Sequence, residues 1–415
     1  MKTQNFLNSV LLALLGLLMA SAVGAADLVF SPAAPAVEVG GQINLSVSGT
    51  NGAVTWTPSM GPIQGTGNQV TYLAPAETGV DSVRVLDEVG NAGTADNFGT
   101  VKITVTAKQL ISQKNANWEV FTNRDSVGAF ALSKDKVTLW VGTEGGLEKR
   151  NASTGELDRV YINTDGLPDN DVGALLSDAQ GGVWVGTSWG LAHLKADGSW
   201  LVFKTDNSNL PSNSVRALLS DAQGGVWVGT EGGGLAHLKK DGSWQVFNKD
   251  NSNLPSNDVD ALLSDAQGGV WVGTYRGLAH LKKGGYWQIF KTDNSTLPDN
   301  WVTALLSDAQ GGVWVGTKRG LAHLKKDGSW QVFNKDNSNL PSNDVWALLS
   351  DAQGGVWVGT EFGGLAHFKK DGSWQVFKTD NSNLPSNDVE ALFSDAQGGV
   401  WVGTFGGLAH FKKDG

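Results

Sequence analysis

From residue 118 onward the chain alternates short apolar runs with polar, glycine-rich turns at a fixed step. One eleven-residue stretch sets the rhythm: Ser177–Thr187, SDAQGGVWVGT, returns at Ser220–Thr230, Ser264–Thr274, Ser307–Thr317, Ser350–Thr360 and Ser394–Thr404. A seventh, altered copy, SKDKVTLWVGT, stands at Ser133–Thr143. The tryptophans of the seven copies, from Trp140 to Trp401, are 43 or 44 residues apart. Self-similarity at this period predicts a propeller or a solenoid.

Within one repeat the pattern predicts four strands. Val215–Ser220 is apolar with β character, Asp221-Ala-Gln-Gly-Gly225 carries turn chemistry, and Val226–Thr230 is a second strand. Leu235–Lys239 follows the Glu231-Gly-Gly-Gly234 loop, Asp241-Gly242 is a hairpin signal, and Trp244–Phe247 is the fourth strand. A polar segment, Asn248–Asp258, leads to the next unit. Four short strands with three tight turns make one antiparallel blade. Val-Trp-Val is apolar on both faces of its strand, as packing between neighbouring blades requires.

The last repeat reaches Lys413-Asp414-Gly415 just after its third strand. An orphan fourth strand, Trp118-Glu-Val-Phe121, precedes the first repeat. The expectation is a closed, seven-bladed β-propeller over 118–415, with this N-terminal strand completing the last blade and removing open edges.

The segment before the repeats differs. Residues 1–25 read as a signal peptide: Lys2, the apolar run Val10–Ala20, which is too short for a comfortable membrane span, and small residues at Val23-Gly-Ala25. An uncleaved anchor is the alternative. After cleavage no membrane insertion is expected, and the protein is expected to be exported, periplasmic or secreted. Residues 27–107 carry short alternating runs such as Gln42–Val47, Val54–Thr57, Gln69–Tyr72, Ser82–Val85 and Thr100–Val105, which predict a β-sandwich. Its stretches SPAAPAVEVGGQINLSVSG, VTWTP and YLAPAETG resemble bacterial immunoglobulin-like domains, with Trp56 as a core residue. Residues 107–117 read as a linker.

Blades two to seven also carry Leu-Pro-x-Asn before the first strand, then Asp-x-x-Gly, Trp-Val-Gly-Thr and Gly-Leu, as in Leu210-Pro211-Ser212-Asn213, Asp221, Gly225, Trp227–Thr230 and Gly234-Leu235. This pattern resembles the two-component regulator propeller repeat. The resemblance implies a propeller of the kind that forms the periplasmic sensor half of a hybrid histidine kinase, and hence a membrane sensor kinase as a partner. The first blade departs most, with Lys134-Asp135-Lys136 in its turn and Glu148-Lys149-Arg150 where others carry Ala-His-Leu. The Ser-x-x-x-Gly-x-x-Trp spacing is similar to the Asp-box of sialidases, a structural turn in that family.

Comparison of the repeats with one another separates scaffold from variable positions. After Gly-Thr the next residues are Glu144-Gly145, Ser188-Trp189, Glu231-Gly232, Tyr275-Arg276, Lys318-Arg319, Glu361-Phe362 and Phe405-Gly406. The residues flanking the first-strand valine vary too: Asp171 and Gly173, Ser214 and Arg216, Asp258 and Asp260, Trp301 and Thr303, Asp344 and Trp346, Asp388 and Glu390. In a four-stranded blade both sets lie on one face of the disc, around the central channel. Candidate ligand-binding residues are therefore Ser188, Trp189, Arg216, Glu231, Asp260, Tyr275, Arg276, Trp301, Lys318, Arg319, Trp346, Glu361, Phe362, Glu390 and Phe405. Tryptophan, tyrosine and arginine are typical of binding hot spots. The tryptophans are expected to be exposed.

The formal charge of −10 argues against nucleic acid and anionic membranes as partners. Without cysteine there is no disulfide, thiol chemistry or lipidated N-terminal cysteine. The six histidines, His193, His237, His280, His323, His367 and His410, occupy one equivalent third-strand position and read as structural. The Asn/Asp loops such as Thr205–Asn213 offer oxygen ligands for Ca²⁺, but Asx-turns account for the same residues, so no cofactor is expected. No catalytic constellation emerges. The sequence thus points to a non-enzymatic, exported binding protein for a glycan, peptide or protein. The alternatives are a ligand-sensing module working with a separate kinase, and a polysaccharide lyase or propeller hydrolase.

Overall fold

The structure, a computed structural model, describes residues 29–31, 36–38, 42–48, 53–58, 62–73, 79–88, 97–106, 118–121 and 126–412 apart from 396. The expected signal peptide and linker lie outside the described residues. The chain divides into two compact units, Met1–Leu110 and Ile111–Gly415.

In the first unit, eight strands make two four-stranded sheets. One orders Val29–Ser31, Gln42–Ser48, Gln69–Leu73 and Ile63–Gln64; the other orders Ala36–Glu38, Asn97–Thr106, Gly79–Glu88 and Ala53–Thr57. Leu45, Val70, Tyr72 and Val83 form its core, with Trp56 packed on them. The Trp56 indole N–H donates to the Gly67 carbonyl at 2.7 Å, so its polar end is satisfied at the edge of the core.

The second unit is the expected seven-bladed propeller. Seven antiparallel four-stranded sheets follow one another in sequence order. Their innermost strands are Val127–Leu132, Val172–Ser177, Val215–Ser220, Val259–Ser264, Val302–Ser307, Val345–Ser350 and Val389–Ser394. Each touches the next, and Val127–Leu132 also touches Val389–Ser394, which closes the ring. Trp118–Phe121 pairs antiparallel with Gly407–Phe411 and supplies the last blade's outer strand.

The repeat letters explain the packing. In four blades the Val-Trp-Val-Gly-Thr strand is buried along its whole length, between the sheets on either side. Its glycine is dictated by the neighbour: a Cβ on Gly273 would stand 2.8 Å from Val302 Cγ1 and 3.1 Å from the Val302 carbonyl of the next blade. The leucine of Leu-Pro, for example Leu210 or Leu297, is buried between blades. At six junctions the outer strands are joined by an aromatic ladder, the last aromatic of one outer strand meeting the leading tryptophan of the next edge-on. The rungs are Tyr161–Trp200, Phe203–Trp244, Phe247–Trp287, Phe290–Trp330, Phe333–Trp374 and Phe377–Trp118.

The six histidines have a common structural setting. Each lies flat on the tryptophan of the adjacent second strand, with centroids 3.8 to 4.1 Å apart, and each Nε2 meets the aspartate of its blade's first turn. The Asn/Asp loops bond to their own backbone: Asn207 Oδ1 accepts from the Lys204 N–H at 2.7 Å and Asn213 Oδ1 from the Thr205 N–H at 2.9 Å. Among the described residues no cluster of three acids or histidines is placed to hold a metal.

Candidate ligand-binding channel face

The channel face is built by a slip in register. In every blade the ladder between first and second strands shifts by one residue between the first-strand valine and the alanine two positions on. Such a bulge leaves one residue unpaired and re-aims its side chain. The seven unpaired residues are Gly128, Gly173, Arg216, Asp260, Thr303, Trp346 and Glu390. All seven line one cavity of about 780 Å³.

A second tier stands above this ring. The backbone N–H of the first residue after each Gly-Thr donates to the carbonyl of the residue before the first-strand valine: Glu144 to Ser126, Ser188 to Asp171, Glu231 to Ser214, Tyr275 to Asp258, Lys318 to Trp301, Glu361 to Asp344 and Phe405 to Asp388. The two variable loops are thereby clamped together in every blade. The threonine fixes the turn, as where Thr187 Oγ1 donates to the Gly190 carbonyl at 2.8 Å and accepts from the Trp189 N–H at 3.2 Å.

Nine of the fifteen candidate residues line the cavity: Ser188, Arg216, Glu231, Asp260, Trp346, Glu361, Phe362, Glu390 and Phe405. Tyr275, Trp301 and Lys318 form the wall behind them. Trp189, Arg276 and Arg319 occupy the second loop position, are exposed and are not among the lining residues. Arg319 meets Asp299 at 3.3 Å. Phe362 and Phe405 are exposed at the mouth, Phe362 in the left-handed region at φ 57°.

Trp301 and Trp346 differ from the sequence expectation. Both are half-buried, and Trp346 lies on a strand rather than a loop. The Lys318 ammonium sits 4.8 Å from the Trp301 ring centre and 4.1 Å from that of Trp346, so one cation ties both rings into the wall. Tyr275 covers Trp301 edge-on at 5.0 Å, and the Trp301 indole N–H donates to Asp260 at 3.0 Å.

The wall carries two cation bridges between blades. Arg216 joins Asp260 at 2.9 Å and Glu231 at 2.8 Å. Lys318 joins Asp344 at 2.7 Å and Glu361 at 3.3 Å. Burial raises the Asp260 carboxyl above its usual range despite Arg216. Burial, then the neighbouring Glu361, pushes Asp344 up to about 7 against the pull of Lys318. Glu361 is held low, first by Asp344 and further by Lys318. Burial also raises Glu390, opposed by the Ser126 hydroxyl and reinforced by Glu144, Asp388 and Asp171. Sequence reasoning missed Gly128 as a lining residue, because the first blade carries Ala129-Phe130-Ala131 where most others read Ala-Leu-Leu.

Comparison with known proteins adds the following. Six repeats match the Two component regulator propeller family. The matched residues are 166–189, 209–232, 253–276, 296–319, 339–362 and 383–406, one segment in each of blades two to seven. Each of these regulator-propeller segments spans the Leu-Pro turn, the bulged first strand and the Trp-Val-Gly-Thr strand. No curated protein matches the sequence. Among solved structures, the chain is similar to the extracellular domain of the hybrid two component system BT3049 from B. thetaiotaomicron, with a TM-score of 0.62, 19% identity, and 89% of this chain and 44% of that chain covered. This chain therefore spans less than half of that domain. It is also similar to virginiamycin B lyase from Staphylococcus aureus (TM-score 0.59, 12% identity, 72% and 99% covered) and to YCF48 bound to D1 peptide (TM-score 0.55, 17% identity, 74% and 100% covered). At these identities the likeness is one of fold. No helix among the described residues is long and apolar enough to cross a membrane.

Proposed function

We propose that this is an exported recognition protein without catalytic activity, binding a glycan, peptide or protein at the channel mouth, with its N-terminal two-sheet unit serving as an immunoglobulin-like spacer. One observation carries the reading. The seven bulged positions hold six different residue types on a scaffold whose other strand positions barely change, and all seven meet in one cavity. A cavity of about 780 Å³ is within the range of ligand sites. Exposed Phe362 and Phe405 offer apolar contact beside fixed charges, which suits recognition of a ligand with both characters. YCF48, of similar fold, is described with a bound peptide, which favours a peptide or protein ligand.

The extracellular domains of similar fold favour a sensing role for the same site, with the ligand passed as a signal to a membrane kinase. An enzymatic reading rests on Asp344, whose carboxyl near 7 suits proton transfer. The deciding experiment screens the full protein against glycan and surface-protein panels beside a folded variant carrying Arg216→Ala, Trp346→Ala, Phe362→Ala and Phe405→Ala. A ligand bound by the first and lost by the second supports the channel site. Equal binding by both overturns it, and consumption of a bound ligand overturns the non-enzymatic part.

A further inference from the structure

The face opposite the channel mouth is the constant one, with Asp-Ala-Gln-Gly-Gly in six first turns and Lys-Asp-Gly in most third turns. Several of its departures gather in one place. In the first blade Lys134 stands where the others have the turn aspartate, Lys149 where they have histidine, and Tyr161 where they have phenylalanine. In the second blade Ala196 stands where the third has Lys240. All four line a single cleft of about 660 Å³ between blades one and two.

The floor of the cleft is altered by the same changes. In blades two to seven the histidine ring lies over the strand-two tryptophan and is pinned by the turn aspartate. In blade one Lys149 turns away to Asp158 at 2.7 Å, so the cover is missing. Trp140, which also lines the cleft, stays buried at 6% exposed, and its indole N–H has no acceptor among the described residues. A buried donor left without a partner is costly. Around it stand Lys134, whose ammonium donates to the Ala179 carbonyl at 3.0 Å, and Lys195; neither makes a salt bridge among the described residues. The one carboxylate lining the cleft, Asp135, is engaged by the Ser133 hydroxyl and the Val137 N–H.

We infer that this cleft is a second binding site, which takes the oxyanion of a small ligand, a carboxylate or a sulfate ester, between the Trp140 indole N–H and the ammonium groups of Lys134 and Lys195. Charge-assisted hydrogen bonds of this kind are the strong ones, and the oxyanion supplies the acceptor that Trp140 lacks. The Tyr161 hydroxyl, absent from the equivalent phenylalanines, adds a further donor at the wall.

The test is an NMR titration of the full protein with sodium glucuronate, glucose 6-sulfate and glucose, reading the Trp140 indole resonance assigned by its loss in Trp140→Phe. A saturable shift with either anion and none with glucose is expected, and the anion that acts identifies the source of the oxyanion. The double variant Lys134→Asp, Lys149→His rebuilds the Asp–His cover of the other blades. It is expected to bind about tenfold or more weakly while melting no lower than the parent. Lys195→Ala is expected to weaken binding while leaving the melt unchanged. A shift that is absent with both anions, equal with glucose, or undiminished in the rebuilt variant overturns the inference. The channel-mouth variants leave this titration untouched, so the two sites are judged separately.

Discussion

His280 lies 3.8 Å from Trp271, ring over ring and 14° from parallel, while its Nε2 meets Asp265 at 2.6 Å. The turn, the third strand and the second strand of a blade are locked by this one side chain, and five other blades repeat the arrangement.

This lock makes stability depend on pH. Burial holds His280 and His410 below 6.5, outweighing the upward pull of their aspartates. The unfolded chain then binds more protons below pH 6.5, so stability falls as pH drops from 6.5 toward the folded values. Asp265 is raised by burial but carried below 3.8 by the Gly269 N–H and His280, which adds a second loss under pH 3.8. His280→Gln should cost about 1–3 kcal/mol at pH 8 and flatten the decline between pH 6.5 and 5. Melting curves of both proteins from pH 8 to 4 check this.

Two glycines in the same blade should respond oppositely to substitution. Gly186→Ala puts a methyl 2.6 Å from Val215 Cγ1 of the next blade, and overpacking of this kind costs about 1–3 kcal/mol. A Cβ on Gly173 meets nothing within 4 Å. Gly173→Trp should therefore leave stability within about 0.5 kcal/mol of the parent's, while narrowing the channel and abolishing ligand capture there.

Asp344 should carry a stability penalty at alkaline pH. Its carboxyl is raised from 3.8 to about 7, so the folded state binds more protons between those values and stability falls as pH rises through them. Asp344→Asn removes the penalty. Its melting temperature should exceed the parent's by a few degrees at pH 8, about what 1 kcal/mol shifts in a domain of this size, and by less at pH 5. A gain that is equal at both pH values would show that the Lys318 bridge fully offsets the burial of Asp344.

Trp118 and Phe121 are both buried in the last blade. Trp118→Ala should cost about 3–5 kcal/mol. Deleting Trp118–Phe121 should leave Gly407–Phe411 as an open edge and cause concentration-dependent association, seen by light scattering.

The blade architecture was legible because each local signal is repeated. Val215–Ser220, Val226–Thr230 and Trp244–Phe247 were readable from turn letters and apolar runs, and the lone Trp118–Phe121 from the missing fourth strand of the last repeat. The channel face was legible as a set of varying positions that includes most of its inner ring, but the bulge that aims that ring was not, because a bulge is a property of register and no letter at Arg216 or Thr303 announces it. Trp301 and Trp346 were misjudged as exposed because their cover, Lys318, comes from a separate loop and acts through ring faces. The raised Asp344 carboxyl depends first on burial, which sequence spacing does not report. His193 and Asp178 were each visible, but their pairing across 15 positions appears only once strand three is folded back on strand two.

The outer strand of the last blade has one further consequence, for the order of assembly. Six blades draw their fourth strand from the residues directly after the third, whereas Phe121 must meet Leu408 from the far end of the ring. Contacts that close long loops form late and raise the barrier to folding. The aromatic ladder also lacks its rung at this junction, since Leu157 stands where the other blades begin with tryptophan. The disc therefore has a seam between its last and first blades, and this seam is the last junction to shut during folding and the first to part under heat or force.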